Sequence, residues 1–361
     1  MRNILPKRVL IFSIFSILLN GCTLATPMPK AAPSAAGPRE LTVMVHDSFS
    51  ASEAVIKKFE TDHNARLTVL KSGDAGAVLN KAILSKDKPI ADVIYGIDNT
   101  FMSRALKADI LEPYAAPALS GIPARFKLDA SNRLLPVDRG YVSFNADIAA
   151  LQSKGLPPPA SLRDLTDKRY LHNVIVENAA TSSPGMAFLL ATIAAFPEGG
   201  AYTWQQYWRD LVRNQAHISP DWNDAYYVQF SGSSGKGAHP IVVSYATSPA
   251  AEVFYSEGKL KTPLTMNLDI GAFEQIEFVG VLKGAKNPEL ARAFVDFMLS
   301  PEFQKDIPTQ MWVYPVVDNT PLPDAFSFAA QPTQVLALPA EQIDANRERW
   351  LAEWTQIAAG N

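Results

Sequence analysis

The chain has 361 residues, 47% of them hydrophobic and 19% charged, with a formal net charge of −3. That balance fits a folded globular protein and offers no basic face to nucleic acid or to an anionic membrane. The single cysteine excludes a disulfide framework, and five scattered histidines without metal-ligand spacing exclude a zinc-type site.

Taken in chain order, Arg2, Lys7 and Arg8 precede the apolar run Val9 to Leu19. The run is shorter than the about 20 residues needed to span a bilayer, and its basic flank has the form of a secretory signal. Leu19-Asn20-Gly21-Cys22 resembles the bacterial lipobox, whose cysteine is lipidated and becomes the mature N-terminus. Residues 1–22 therefore read as a lipoprotein signal with lipidation at Cys22, which places the body outside the cytoplasm (periplasm or cell surface) and on a membrane. Residues 23–39 carry several prolines and no apolar period, so they read as an extended tether reaching at most about 55–60 Å.

A body of roughly 320 residues is long enough for two domains. Strands are expected at 41–45, 66–70 and 91–96, with helices at 52–63 and 75–84 between them. This βαβαβ order argues for a parallel or mixed sheet in an α/β layer. Asp47 and Asp98 then fall just past strand ends, where open α/β sheets bind ligands. The extended run Leu134 to Asn145 is a boundary candidate. A second α/β unit follows, with strands at 173–177, 240–245 and 274–282, and helices at 186–195, 202–213 and 287–299. A last amphipathic helix begins near Ala340. Ser231 to Gly237 fails the spacing of a phosphate loop and reads as a flexible surface loop.

Two hydroxyl-rich turns stand at strand-to-helix junctions. Thr181-Ser182-Ser183-Pro184-Gly185 puts backbone N–H groups and hydroxyls at a helix N-terminus, which suits an anion and serves equally as a helix cap. Ser244-Tyr245-Ala246-Thr247-Ser248-Pro249 repeats the pattern. Trp222, Tyr226, Tyr227, Tyr245, Trp312 and Tyr314 lie in turn-rich segments rather than apolar stripes. Aromatic faces near acidic residues such as Asp47, Asp98 and Asp138 suit a flat or cationic ligand, at about 0.5–2 kcal/mol per cation–π contact.

These segments resemble a known family. Asp47-Ser48-Phe49, the run Ala91 to Asn99, the two hydroxyl turns and Ile307 to Pro315 are similar, in order and spacing over most of residues 40–358, to the thiamine-binding extracytoplasmic proteins of bacterial ABC importers. The resemblance implies a periplasmic-binding-protein type II fold, with two α/β lobes, a ligand cleft and a hinge. Lobe 1 would comprise 40–138 plus about 279–325, and lobe 2 would comprise 139–278 plus the C-terminal helices 326–361. It also implies a monomer, no cofactor or metal, no enzymatic activity, and a permease with its ATPase as partners. Thr181, Ser182, Ser183 and Gly185 would take the ligand's phosphate or hydroxyethyl end. Trp222, Tyr245 and Trp312 would line the ring pocket, and Asp47 and Asp98 would be polar or charge partners. Ser48, Asn99, Tyr226, Thr247, Ser248 and Tyr314 complete the implied ligand set.

The chain departs from the family pattern at three positions. His46 and Arg139 replace tyrosines, and Ala251 replaces a ring-contacting tyrosine, leaving Phe254 or Tyr255, one helical turn on, as substitute faces. The alternative ligands are a related pyrimidine or ferric iron, the latter because Tyr226 and Tyr227 form an adjacent tyrosine pair. An enzyme of thiamine breakdown would want a cysteine nucleophile, and the only cysteine lies in the signal region.

Overall fold

The chain begins as a repeating strand–helix layer: β1 (Arg39–Val45), α1 (Glu53–His63), β2 (Ala65–Lys71), α2 (Ala75–Leu84) and β3 (Val93–Asp98). The computed structural model describes residues 37–234 and 236–360, so the signal segment, Cys22 and most of the tether lie outside the described residues. The first strand starts at Arg39, two residues before the expected Leu41. Each helix start is set by a short polar side chain. Ser52 accepts from the Val55 N–H at 3.4 Å and Asp74 accepts from the Ala75 N–H at 2.8 Å.

Next come α3 (Met102–Lys107), the short β4 (Leu111–Glu112) and the 13-residue β5 (Leu135–Asp147). The second half holds α4 (Ile148–Ser153), β6 (Val174–Glu177), α5 (Ser183–Ala195), α6 (Trp204–Arg213) and β7 (His217–Ser219). A π-helical turn at Asp224–Gln229 leads to α7 (Ser231–Ser234), β8 (Ile241–Tyr245) and α8 (Ser248–Tyr255). The return strand β9 (Thr265–Leu282) runs for 18 residues, starting well before the expected Glu274. The chain ends with α9 (Pro288–Met298), α10 (Pro301–Gln310), β10 (Tyr314–Pro315), β11 (Val335–Leu336) and α11 (Ala340–Ala358).

The sheet is mixed, in the order β2-β1-β3-β9-β5-β8-β6-β7. The outer strands pair in parallel, as the repeating strand–helix pattern requires, whereas β3–β9, β9–β5 and β5–β8 are antiparallel. The two long central strands cross from one half of the molecule to the other. Their pairing slips between Pro136 and Asp138 and again between Val142 and Phe144, and such bulges bend a strand locally. The result is an α/β architecture of two lobes joined through β5 and β9.

Each half has its own aromatic core. In the first, Phe59 of α1 meets Phe294 and Phe297 of α9 at ring-centroid distances of 5.0 and 5.3 Å. In the second, Phe188 of α5 meets Phe144 at 5.0 Å and Trp208 at 5.2 Å, and the Trp208 indole N–H donates to Thr192 Oγ1 at 2.9 Å. Of the segment expected as a flexible loop at 231–237, Ser231, Gly232 and Gly237 are half-buried and packed. It opens with the α7 turn, Ser231 donates to Asp147 at 2.6 Å, and a Cβ on Gly237 would fall 2.1 Å from the Gln229 carbonyl oxygen.

Helix α11 touches both halves. Trp354 packs edge-on to Trp208 at 5.6 Å, while Arg347 donates from Nε to the Thr100 carbonyl at 2.9 Å and covers the Phe101 ring at 4.4 Å. Arg347 is buried. Removing it leaves an unpaired buried carbonyl and an unfilled space. Arg347→Ala is expected to lower the unfolding free energy by about 2 kcal/mol or more, read as a lower midpoint in guanidinium denaturation.

Candidate ligand-binding cavity

A cavity of about 640 Å³ opens where strand ends and helix N-termini of both halves converge. From the first half come His46, Asp47 and Ser48 after β1, and Asp74 at the start of α2. From the second come Ser183 and Pro184 at the start of α5, Trp222 and Asn223 after β7, and Tyr245, Thr247 and Ser248 around the start of α8. Glu277 of β9 and Gln310 to Val313 after α10 complete the wall. The strand-end location is where a ligand is expected in an open α/β sheet.

Local hydrogen bonds fix these groups. Asp47 Oδ1 accepts from the Gly73 N–H at 2.9 Å, and Lys71 Nζ donates to the Asp47 carbonyl at 2.8 Å. Asp74 caps α2 and also accepts from the Trp222 N–H at 3.4 Å, which ties the halves together at one end of the cavity. Ser48 donates to Asn223 Oδ1 at 3.4 Å beside it.

Two aromatic faces line the cavity. Trp222 stacks on Tyr226 with centroids 5.0 Å apart and planes 12° apart, and its indole N–H donates to Ser244 Oγ at 3.0 Å. Trp312 stacks on Phe326 at 5.5 Å and is flanked by Phe254 at 5.1 Å and Tyr255 at 5.7 Å. Its backbone is left-handed, with φ of 57°, a costly conformation for a bulky residue. Thr247 Oγ1 donates to the Trp312 carbonyl and helps hold it there. Tyr255 lines the cavity beside Ala251, while Phe254 sits behind it against Trp312.

Below the wall, charge is held by a chain of buried groups. The Tyr95 hydroxyl bridges Asp138 Oδ2 and Glu277 Oε2, the latter at 2.9 Å. Gln275 donates to Glu277 Oε1 at 3.1 Å and accepts from the Tyr245 hydroxyl at 3.1 Å. His46 Nε2 stands 3.6 Å from Glu277 Oε2. Burial and the Glu277 charge hold the Asp138 carboxyl well above the usual range. Burial also acts to raise Glu277, but His46, Tyr95 and Asp138 outweigh it and hold Glu277 below its ordinary value. The pair therefore shares one proton and one negative charge, with the proton favouring Asp138 and the charge favouring Glu277.

Several residues anticipated for the ligand lie outside this lining. Asp98 is fully buried, and its Oδ1 accepts from the Thr100 N–H, the Thr100 hydroxyl and the Phe101 N–H, so it organises its own turn. Asn99 pairs with the backbone of Glu274 and Ile276 on β9. Thr181 donates its hydroxyl to the Pro220 carbonyl at 2.8 Å, and Ser182 is spent capping α5. Gly185 is pressed against the Glu177 carbonyl, where a Cβ would stand 2.7 Å away. Tyr314 points behind Trp312, against Phe326, with its hydroxyl accepting from Gln331. The anion-suited turn thus presents only Ser183 and Pro184 to the cavity. Among the lining residues that motif reading did not propose for the ligand are His46, Asp74 and Glu277; Tyr255 was proposed only as a substitute face.

Among the described residues no group of three or more His, Cys, Asp or Glu is placed to hold a metal ion. Burial raises the Tyr226 hydroxyl above its ordinary pKa and its ring is engaged with Trp222, so this tyrosine is poorly disposed to become an iron-binding phenolate. Among the described residues no helix is long and apolar enough to cross a membrane.

Residues 88–334 match the model of a family described as bacterial extracellular solute-binding protein. The chain belongs to that family. It is 33% identical over 334 residues to the thiamine-binding periplasmic protein of Salmonella typhimurium, covering 91% of this chain and 96% of that one. It is 32% identical over 325 residues to the Escherichia coli protein of the same name, covering 88% and 93%. Among solved structures, a periplasmic thiamin binding protein superposes with a TM-score of 0.78 at 28% identity, covering 89% of this chain and 96% of that one. A Campylobacter jejuni ferric binding protein shares the fold, with a TM-score of 0.68 at 18% identity. The family resemblance read from the motifs, and the type II binding-protein fold, therefore hold.

Burial pushes the Asp98 carboxyl up to about 6. A carboxyl raised on folding contributes fully below its unfolded pKa of about 4 and loses that contribution as pH rises through its folded value. Asp98→Asn keeps the Oδ1 acceptor and removes the titration. Between about pH 3 and about pH 7 the wild-type protein should lose about 3 kcal/mol of unfolding free energy relative to this variant, measured by denaturation at a series of pH values.

Proposed function

We propose that this chain is a lipid-anchored, extracytoplasmic solute-binding protein that captures thiamine or its phosphate esters in the cavity and delivers them to an ABC permease and its ATPase. The observation that carries the reading is the pairing of aromatic faces with carboxylates and no lysine or arginine among the described residues that line the cavity. Thiamine joins a flat aminopyrimidine to a thiazolium cation and a hydroxyethyl end. Trp222, Tyr245, Trp312 and Tyr255 offer ring faces, and Asp47 and Glu277 offer negative charge to the cation. Ser183 and the N-terminal turn of α5, with Ser248 opposite, would receive the hydroxyl or phosphate end. The names of the Salmonella and Escherichia coli relatives support thiamine as the solute.

On this reading the protein works by binding and release, as a monomer, with no bond made or broken. Its lobes are 40–138 with about 279–325, and 139–278 with 326–361, hinged at the bulged β5–β9 crossing, with α11 laid over both. Lipid on Cys22 and the 23–39 tether would keep it near the permease.

Isothermal titration of the full chain is expected to give heat with thiamine; no heat with thiamine, its monophosphate or its diphosphate would overturn the assignment. Trp222→Ala should weaken thiamine binding about tenfold, since one aromatic–cation contact is worth about 1–2 kcal/mol when desolvated. Cys22→Ala should move the protein from the membrane fraction to the soluble extracytoplasmic fraction.

A further inference from the structure

Glu277 is the cavity's most confined charge. It lies on the central strand β9, nearly buried, with both oxygens already engaged by Tyr95 and Gln275. On its cavity side the group nearest in charge is His46, whose Nε2 is buried and makes no hydrogen bond. Both residues line the cavity. The imidazole is held edge-on to its place: it tilts against the Tyr95 ring at 5.7 Å, and a Cβ on Gly96 would stand 2.3 Å from His46 Cδ2. Gly96, at φ of 93°, is what leaves room for the ring.

We propose that His46 is a specificity-determining residue of the cavity: its imidazolium and the ligand's cationic ring compete for the one Glu277 carboxylate, so a cation enters as His46 gives up a proton. The inference rests on the thiamine reading for the identity of the cation, and on the His46–Glu277 geometry for the competition.

The charge count supports it. Tyr95 has one hydroxyl proton, so with Asp138 protonated the order is Asp138 to Tyr95 to Glu277, each donating to the next. With His46 neutral the cluster, with Glu277 kept ionised by an incoming cation in the imidazolium's place, carries one net negative charge and can stabilise that cation. With His46 protonated it carries none, and an incoming cation meets a like charge in a place shielded from water, where such repulsion is strong. The groups that face His46 are few. Asp74 at the start of α2 and Glu277 on β9 favour its charged form, whereas Lys71 at the end of β2 and burial oppose it. The net direction is upward, which brings the change of charge towards neutral pH. Binding linkage then requires that if protonation weakens cation binding, cation binding expels the proton to the same degree.

The test measures proton release and affinity together. Titrating the full chain with thiamine in buffers of different ionisation enthalpy should show release of about half a proton at the His46 midpoint, rising towards one below it. Affinity should weaken by up to about tenfold per pH unit below that midpoint. His46→Gln should abolish that release and flatten the slope relative to wild type; equal release and equal slope in the two proteins would overturn the proposal. A second measurement needs no ligand. The imidazole of His46, assigned in a histidine-labelled sample by its loss in His46→Gln, should titrate at lower pH in a folded Glu277→Gln variant. An unchanged midpoint would overturn the coupling. If thiamine gives no heat at any pH, the thiamine reading fails, and the imidazole titration decides the His46–Glu277 pair by itself.

Discussion

The constraint on which the rest of this structure turns is a negative charge held where water is excluded. The charge favours Glu277 because Tyr95 and Gln275 donate to it and His46 stands beside it, while the shared proton favours Asp138, a few ångströms along the same chain of hydrogen bonds. Those donors come from different strands. Tyr95 is on β3, Asp138 on β5, and Glu277 and Gln275 on β9, so the cluster exists only where these three strands lie side by side.

The same crossing serves the architecture. Strands β5 and β9 are long enough to belong to both halves, and their bulges bend them between the lobes. A charge fixed at that crossing sits under the cavity that the lobes enclose. Trp222 and Tyr226 belong to the second half, and Trp312, in its left-handed conformation, is clamped by Thr247 and Phe326. Ala251 removes a side chain from the wall, and Tyr255, one turn further along α8, fills the same side of the cavity. That replacement is a helical-periodicity effect, since residues four apart share a face.

Legibility in the sequence followed the range of the interactions. Helices α1 and α2 and the strands around them were readable because the spacing of apolar residues acts within a few positions. Trp222, Tyr245, Thr247, Ser248 and Trp312 were marked by lying at strand ends and turns, and they do line the cavity. Of the hydroxyl turn at 181–185 only Ser183 and Pro184 reach the cavity, for a physical reason. A helix N-terminus consumes hydroxyls for its own orphan N–H groups, and Ser182 does so, while Thr181 turns to the Pro220 carbonyl. Asp98 looked like a ligand carboxylate for the same reason it became a turn-former: acidic side chains accept from nearby backbone N–H groups. Asp74 carried a usable signal, an acidic side chain between a strand and a helix, as Asp47 is.

By itself the sequence determined the strand–helix rhythm, the two hydroxyl-rich turns and the family, because these rest on local periodicity and on motifs in fixed order. It could not determine that Glu277, one residue in an 18-residue strand, faces His46 from 231 positions away. Nor could it determine that the proton they share favours Asp138 over Glu277. Those outcomes depend on burial and on which charges become neighbours, and both are set only when β3, β5 and β9 come together in one sheet.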